Sequence, residues 1–459
     1  MSPTVKSCLL IIATNIIIAI YFLSTCRKRI NLYENVAPTV LQIREKQEID
    51  NTFPIVFYNN AFIDHRYNPP RLRVFSMNPC VAPKEFIVVE LDGKGTRVRL
   101  RGEPTEGECP WHWATQCLYN SYIWTAQLPD GDVEKITIHL GNHTVTIRVQ
   151  NVSVKEKHGF TVCVQPVYWY SEFHNIALFI ESWRAQGATR FIVYFHSSTK
   201  EVRRLLEYYR NLGILDLKPW PSLGSPSPSA TSHFPFPSFD SSTYRVGHTL
   251  AQNLCVLEMR TELGAIADFD EVMVPQEGIL TDYAQKTMEP GVIGALSFPH
   301  LLVKFEPKIS SMDYFGVLNP VFVDRNGPPK VAFNSSSVDV IGTHSVRKFI
   351  GSESTVTASG SLLHYRHNSN TEVAKEVRST MELFPDSGVF YVRKIRNTLR
   401  TVFGDSIPVY NSTFLHVLNE CISKIVGEGK CRSTVTYCSQ WMESLTEWER
   451  EETKHVFAV

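Results

Sequence analysis

An apolar run, Ala265-Ile266-Ala267, gives way to Asp268-Phe269-Asp270-Glu271 and resumes at once as Val272-Met273-Val274-Pro275. The pattern predicts a buried strand that ends at Asp268. Side chains alternate along extended chain, so Asp268 and Asp270 are expected on one face, with Phe269 and Glu271 on the other. Two carboxylates at the end of a buried strand suit a hard divalent cation such as Mg²⁺ or Mn²⁺. Such a cation can hold a diphosphate and neutralise a leaving group. The motif alone is unspecific: a second D-x-D, Asp130-Gly131-Asp132, follows Pro129 between strand-like Ile123–Ala126 and Ile136–His139. That one reads as a hairpin turn.

Outward from Asp268 the periodicity alternates. Phe173, Ile176, Ala177, Ile180 and Trp183 recur at helical spacing and stop at Gly187; Phe191–Phe195 then reads as a strand. A helix from Lys200 to Leu212, closed by Gly213, precedes the strand Ile214–Leu217, and a helix from Thr249 to Leu263 precedes the strand ending at Asp268. Helix and strand at this spacing predict βαβ units: a Rossmann-like α/β domain with a mostly parallel sheet over residues 161–400. Ligands of such sheets bind beyond the carboxyl ends of the strands, where Asp268 and Asp270 are placed. Residues 222–240 interrupt the pattern with serine and proline, either a tolerated surface insertion or a lid over a ligand. Val317-Leu318, Val321–Val323 and Lys330–Phe333 read as further strands. In a C-terminal helical extension, 401–459, an amphipathic helix is expected from Gln440 to His455, packed on the flank.

Upstream, residues 51–160 hold short alternating runs separated by Gly, Pro and Asn, the pattern of a small β-sandwich-like domain. Residues 27–50 are polar and read as a stem. Between a short tail (1–7) and that stem, residues 8–25 carry no charge, enough to cross a bilayer. The run ends in Cys26-Arg27-Lys28-Arg29 rather than a small-residue cleavage site, so residues 8–26 read as an uncleaved transmembrane anchor. Arg27, Lys28 and Arg29 against Lys6 favour a cytoplasmic body. N-x-S/T sequons at Asn142, Asn151, Asn334 and Asn411 favour a lumenal one. So do the cysteines: of ten, Cys8 and Cys26 belong to the anchor segment, and the rest form an even set without C-x-x-C pairs, which suits disulfides. Weighed together, these favour a lumenal body. Lysine plus arginine (46) balance aspartate plus glutamate (46), and no basic stretch interleaved with aromatics appears, so nucleic acid is excluded as a partner.

At this point the residues carry a resemblance. Cys163 with Pro166, Glu181-Ser182-Trp183 before Gly187-Ala188, Tyr194, Tyr208 with Gly213, Trp220, Gln252 with Cys255 and Arg260, then Asp268–Glu271, resemble glycosyltransferase family 92. Ala61–Arg66 upstream, and Lys330–His344 and His364-Tyr365-Arg366 downstream, extend the likeness over roughly 55–370. The resemblance implies a Golgi type II membrane enzyme with a GT-A fold. It implies transfer of a hexose, galactose from UDP-galactose, to a glycan of a glycoprotein or glycolipid, with Mn²⁺ and inversion. It places Asp268 and Asp270 on the metal, Asp268 alternatively on the donor ribose, with His344 as third ligand. His364 and Arg366 would contact donor phosphates. An inverting transfer needs a carboxylate base; Glu271, Asp282 and Asp313 are candidates among which spacing does not choose. Two departures stand out: the 222–239 insertion leaves the acceptor open, and the anchor's charge flank is unlike a type II protein's. The rival reading is a non-catalytic, membrane-anchored glycan-binding protein on a degenerate transferase fold.

Overall fold

The structure, a computed structural model, describes residues 54–458 apart from 82, 108, 115, 129–132, 141–142, 153–154, 226–237, 305–320, 324–326, 367–375, 378–387, 410 and 452–455. The anchor and stem segments, Asp130-Gly131-Asp132, Asn142, Asp313 and the strand expected at Val317-Leu318 lie outside the described residues. Among the described residues, no helix is long and apolar enough to cross a membrane.

The β-rich region is a closed sheet, not a sandwich. Strands β1 (Val56–Asp64), β2 (Arg71–Pro79), β3 (Phe86–Leu91), β4 (Thr96–Pro104), β5 (Tyr119–Gln127), β6 (Lys135–Leu140) and β7 (His143–Asn151) bond in the order β2-β5-β4-β3-β6-β7-β1. β1 then pairs back onto β2, so the ribbon becomes a barrel. Alternation predicts each strand correctly but cannot say whether the last one meets the first. Here it does, because β1 is antiparallel to β2 on one edge and parallel to β7 on the other. The inward side chains, among them Phe57, Val74, Val89, Trp124 and Ile138, are fully buried together. β5 lies between β2 and β4, and β6 between β3 and β7, so the hairpin expected across Asp130-Gly131-Asp132 does not form.

From β8 (Glu156–Val167) the chain alternates: α1 (Phe173–Ala185), β9 (Arg190–Phe195), β10 (Ser197–Ser198), α2 (Lys200–Asn211), β11 (Leu215–Pro219), α3 (His248–Glu258) and β12 (Thr261–Ala267). α3 stops short of the expected Leu263 because the residues from Thr261 onward are already claimed by the sheet, pairing with β8. Strands β11, β9, β8 and β12 are mutually parallel. Beyond β12 the sheet changes sense. β17 (Lys330–Asn334) is antiparallel to both β12 and β14 (Ile293–Phe298), and β14 is parallel to β20 (Ser354–Thr357). The sheet is thus mixed, its parallel half carrying the βαβ units.

A second sheet is built from β13 (Glu271–Pro275), β21 (Gly360–Arg366), β15 (His300–Lys304), β16 (Val321–Val323) and β22 (Glu376–Val377). A hairpin, β18 (Val338–Ile341) and β19 (Val346–Phe349), stands apart, and α4 (Leu280–Thr287) follows β13. The C-terminal segment holds α5 (Gly388–Phe403), α6 (Thr413–Gly427), the short α7 (Thr434–Tyr437) and α8 (Ser439–Glu443), then β23 (Glu449–Arg450) and β24 (Val456–Ala458). The long helix expected over Gln440–His455 is therefore absent. Trp448 turns back onto Trp169 at 5.1 Å and donates its indole N–H to the Met442 carbonyl, and β23 and β24 pair with β10 and β1. Tertiary packing overrides local amphipathicity here.

The eight cysteines form four disulfides: Cys80–Cys109, Cys117–Cys431, Cys163–Cys255 and Cys421–Cys438. Two of them matter for the site. Cys421–Cys438 fastens α6 to the junction of α7 and α8, and Cys117–Cys431 fastens the segment between α6 and α7 to the loop that leads into β5.

Candidate active site

Asp268 and Asp270 are not on an extended strand. β12 ends at Ala267, and Asp268–Glu271 form a turn closed by the Glu271 N–H donating to the Asp268 carbonyl at 3.0 Å. The expected alternation of faces therefore fails, although its outcome survives. Phe269 is held in the core against Phe179 (5.1 Å) and Tyr170 (5.2 Å), and the turn projects both carboxylates into one cavity. Trp183, fully buried, donates its indole N–H to the Glu271 carbonyl at 2.9 Å and fixes the turn from behind.

Behind the turn lies a buried ion cluster. Lys330, 1 % exposed, reaches Asp268 at 3.4 Å and Glu271 at 3.2 Å, and Glu271 also accepts the Asp268 backbone N–H at 3.0 Å. Burial works against the Lys330 charge, but Asp268 and Glu271 outweigh it and raise the ammonium above its usual range. Burial likewise opposes the Asp268 charge; Lys330, Arg245 and His364 reverse the sign and hold the carboxyl low. For Glu271 burial prevails over Lys330 and lifts the carboxyl. Asp268 is thus the ionised member facing out, and Glu271 the buried partner that orients it. His364, 8 % exposed, sits between Asp270 (3.1 Å from Nε2) and His300 (2.9 Å from Nδ1).

The cavity, about 470 Å³, opens at the carboxyl ends of β8 and β12. That volume falls in the range of small-molecule sites. Its walls differ in chemistry. One carries Asp268, Asp270, Arg245 and His248; the end of β8 supplies Tyr168, Tyr170 and Glu172; and α6 lays Leu415, Leu418 and Ile422 along a third side. Arg245 reaches its place through an unusual backbone. Arg245 (φ 43°), Val246 (φ 58°) and Gly247 (φ 73°) are left-handed in succession. For the two non-glycine residues that costs about 1–2 kcal/mol each. The buried Val246 side chain and the hydrogen bond from the Trp220 indole N–H to its carbonyl (2.9 Å) hold the turn in place. His248 is buried, with Nε2 2.8 Å from the Thr343 hydroxyl and Nδ1 without a hydrogen-bond partner among the described residues.

The other expected site residues are distributed differently. His344 is exposed, its Nδ1 3.0 Å from the Pro329 carbonyl, and does not line the cavity. His364 does not line the cavity but braces Asp270 from behind, and β21 pairs it opposite Glu271. Arg366 ends β21, and its side chain lies outside the described residues. Of the candidate bases, Glu271 is locked to Lys330 and Asp282 is an exposed residue of α4. Asn151 is exposed on β7 with its Oδ1 3.0 Å from His65 Nε2, Asn411 is exposed before α6, and Asn334 is half-buried at the end of β17. Lys330, Arg245, His248, His300 and the α6 wall escape sequence reasoning. Lys330 alone carried a local signal, a lysine opening an otherwise apolar strand.

The residues meet the chemistry of a divalent cation. Among the described residues no three His, Cys, Asp or Glu side chains converge on one point. Magnesium-type sites, however, typically take one or two carboxylates and fill the shell with water and substrate phosphate. Asp268 and Asp270, 35 % and 27 % exposed on one cavity wall, form such a pair.

No curated protein matches the chain. Solved structures that resemble it include TarS 1-349 of S. aureus, 14 % identical over 39 % of this chain and 47 % of that one, with a TM-score of 0.23. HddC of Yersinia pseudotuberculosis is 7 % identical over 45 % and 93 %, with a TM-score of 0.24. Glucosyl-3-phosphoglycerate synthase of Mycobacterium tuberculosis, solved with Mn²⁺, UDP and glucosyl-3-phosphoglycerate, is 12 % identical over 55 % and 81 %, with a TM-score of 0.22. This chain spans less than half of TarS 1-349, and superpositions so partial assign nothing to it. The family model is another matter: it matches residues 158–403, just over half the chain, from the start of the parallel sheet to the end of α5, with the Asp268–Glu271 turn inside. The chain belongs to glycosyltransferase family 92.

Proposed function

We propose that this glycosyltransferase transfers galactose from UDP-galactose to a glycan acceptor, inverting the anomeric centre, with a divalent cation of the Mn²⁺ type at Asp268 and Asp270. One observation carries the reading: the two carboxylates of a single turn share with Arg245 one wall of a cavity of nucleotide-sugar size at the carboxyl ends of parallel strands. When bound, the cation would neutralise charge on the departing diphosphate. The chain's own residues do the rest. Lys330 and Glu271 fix Asp268, and His364 fixes Asp270, so the carboxylates need no reorganisation. Arg245 offers a planar donor fork to phosphate oxygens. At the end of β8, Tyr170 supplies an aromatic face for a nucleobase and Glu172 an acceptor for ribose hydroxyls. The apolar side chains of α6 exclude water, which protects the donor from hydrolysis.

The disulfides and sequons support an oxidising, lumenal compartment for the body, held by the apolar N-terminal segment as a single-pass anchor, as in the Golgi. The test is UDP release from UDP-galactose by the full chain in detergent, with and without Mn²⁺. Asp270→Asn is expected to lower turnover on the order of a hundredfold or more, with an unchanged melting temperature. Equal inertness of wild type and variant across a panel of UDP-sugars would leave the chain a glycan-binding protein on a transferase fold.

A further inference from the structure

The barrel turns one loop toward the active site. Residues 105–117 run between β4 and β5, pinned at Cys109 to Cys80 and at Cys117 to Cys431. Within it Trp111 and Trp113 stack nearly parallel, ring centroids 5.0 Å apart at 12°, and Tyr244 meets the Trp113 ring edge-on at 4.8 Å. Trp111 is anchored by its indole N–H to the Glu106 carbonyl at 3.3 Å. Trp113 is 47 % exposed, whereas Trp124, Trp183 and Trp220 are all essentially inaccessible. A tryptophan whose task is to hold a loop would be covered like those; Trp111 already performs that task from beneath.

The platform is continuous with the cavity. Tyr244 lies 5.4 Å from the His248 ring and precedes Arg245, and both His248 and Arg245 line the cavity. The left-handed backbone at Arg245 and Val246 is what lets neighbouring residues face both ways: Tyr244 onto the platform, Arg245 into the cavity. Glu106 of the same loop faces Thr343, the hydroxyl that holds His248.

We propose that Trp113, backed by Trp111 and edged by Tyr244, is the acceptor subsite: its free indole face stacks a pyranose ring of the acceptor oligosaccharide. The reacting hydroxyl of that glycan enters the cavity past Tyr244. This rests on the transferase reading above and adds to it the part of the molecule that chooses the acceptor. A flat, uncharged aromatic face matches the apolar C–H face of a sugar. The ring of a glycan is therefore the occupant.

The test uses the full chain in detergent on a printed array of N- and O-linked oligosaccharides, without donor, and then steady-state turnover with UDP-galactose and the best-bound glycan. Trp113→Ala is expected to weaken glycan retention roughly tenfold or more, and to raise the acceptor KM by a similar factor against a donor KM that moves less than about twofold. Trp113→Phe, which keeps an aromatic face, should recover most of both. The inference falls if wild type retains no oligosaccharide, if Trp113→Ala retains glycans as wild type does, or if Trp113→Phe is as impaired as Trp113→Ala. If array binding follows the aromatic face while wild type releases no UDP from any donor, the subsite stands and the donor reading falls. If turnover proceeds and Trp113→Ala changes neither acceptor KM nor array binding, the reverse holds.

Discussion

The two sides of the cavity are held in place by opposite means. The carboxylate side is built within the family-matched segment and fixed by charge and hydrogen bonding: Asp268 and Glu271 on Lys330, Asp270 hydrogen-bonded to His364. The far side comes from residues beyond that segment, α6 and the turn after it, and is fixed by covalent bonds and apolar contact. Fixed charges suit the side where a diphosphate must be met in one geometry. An apolar wall tied down by disulfides can change its side chains without disturbing that geometry. The difference teaches where variation in substrate can be absorbed and where it cannot.

Removing the charge that organises the first side should have the largest effect. Lys330→Met leaves Glu271 buried beside two aspartates without its ammonium partner, and breaking a buried pair in this way costs about 3–5 kcal/mol. Urea unfolding should show that loss, and adding Glu271→Gln should return most of it, because the uncompensated carboxylate is then gone. A double variant as unstable as Lys330→Met would mean that the lysine serves packing rather than charge.

The second side should give way more gently. Replacing Cys117 and Cys431 by serine removes the bond between the barrel and the turn after α6, a loss of about 2–4 kcal/mol. Limited proteolysis should then cut first within residues 404–459, and the KM for the donor should rise as the Leu415, Leu418 and Ile422 wall loosens. If cleavage instead begins in the parallel sheet, the two sides unfold as one cooperative unit.

What the sequence discloses follows the range of the forces involved. Phe191–Phe195, the α1 and α2 faces and the apolar run before Asp268 are local patterns, and the structure forms them where periodicity puts them. The Asp268 turn is found for a partly mistaken reason: the motif lies at the strand end, but a turn, not alternation, brings its carboxylates together. Barrel closure depends on β1 meeting β7, Asn60 opposite Arg148, residues far apart along the chain, which no local alternation records. Arg245 and Val246 give no sign in sequence, since nothing marks two non-glycine residues for left-handed backbone. α6 reaches the cavity because Cys117 and Cys431, 314 residues apart, are joined, and ten cysteines do not announce their pairing.

The smallest expected effect concerns the group on the carboxylate side nearest the aromatic platform. Burial, reinforced by Arg245 and Lys330 and opposed by Asp268, lowers the His248 imidazole from 6.5 to about 3. In the unfolded chain it titrates near its ordinary value. Between the two values the unfolded state takes up a proton that the folded state refuses, so stability falls as pH drops below about 6.5, by about 1.4 kcal/mol per unit for this one group. His196, lowered to about 4 by burial, adds a slope of the same sign. Asp240, raised to about 7 by burial, works the other way: its contribution is full below the unfolded value and lost as pH rises through 7. The net slope of the wild type is therefore shallow, and the difference from a variant isolates His248. His248→Gln keeps a hydrogen-bonding group for Thr343 and cannot titrate. From pH 7 to 5.5, wild type should lose about 1 kcal/mol more than the variant in urea unfolding. Parallel profiles would mean that His248 exchanges protons with the cavity in the folded state, and that the wall beside Asp268 is wetter than its burial indicates.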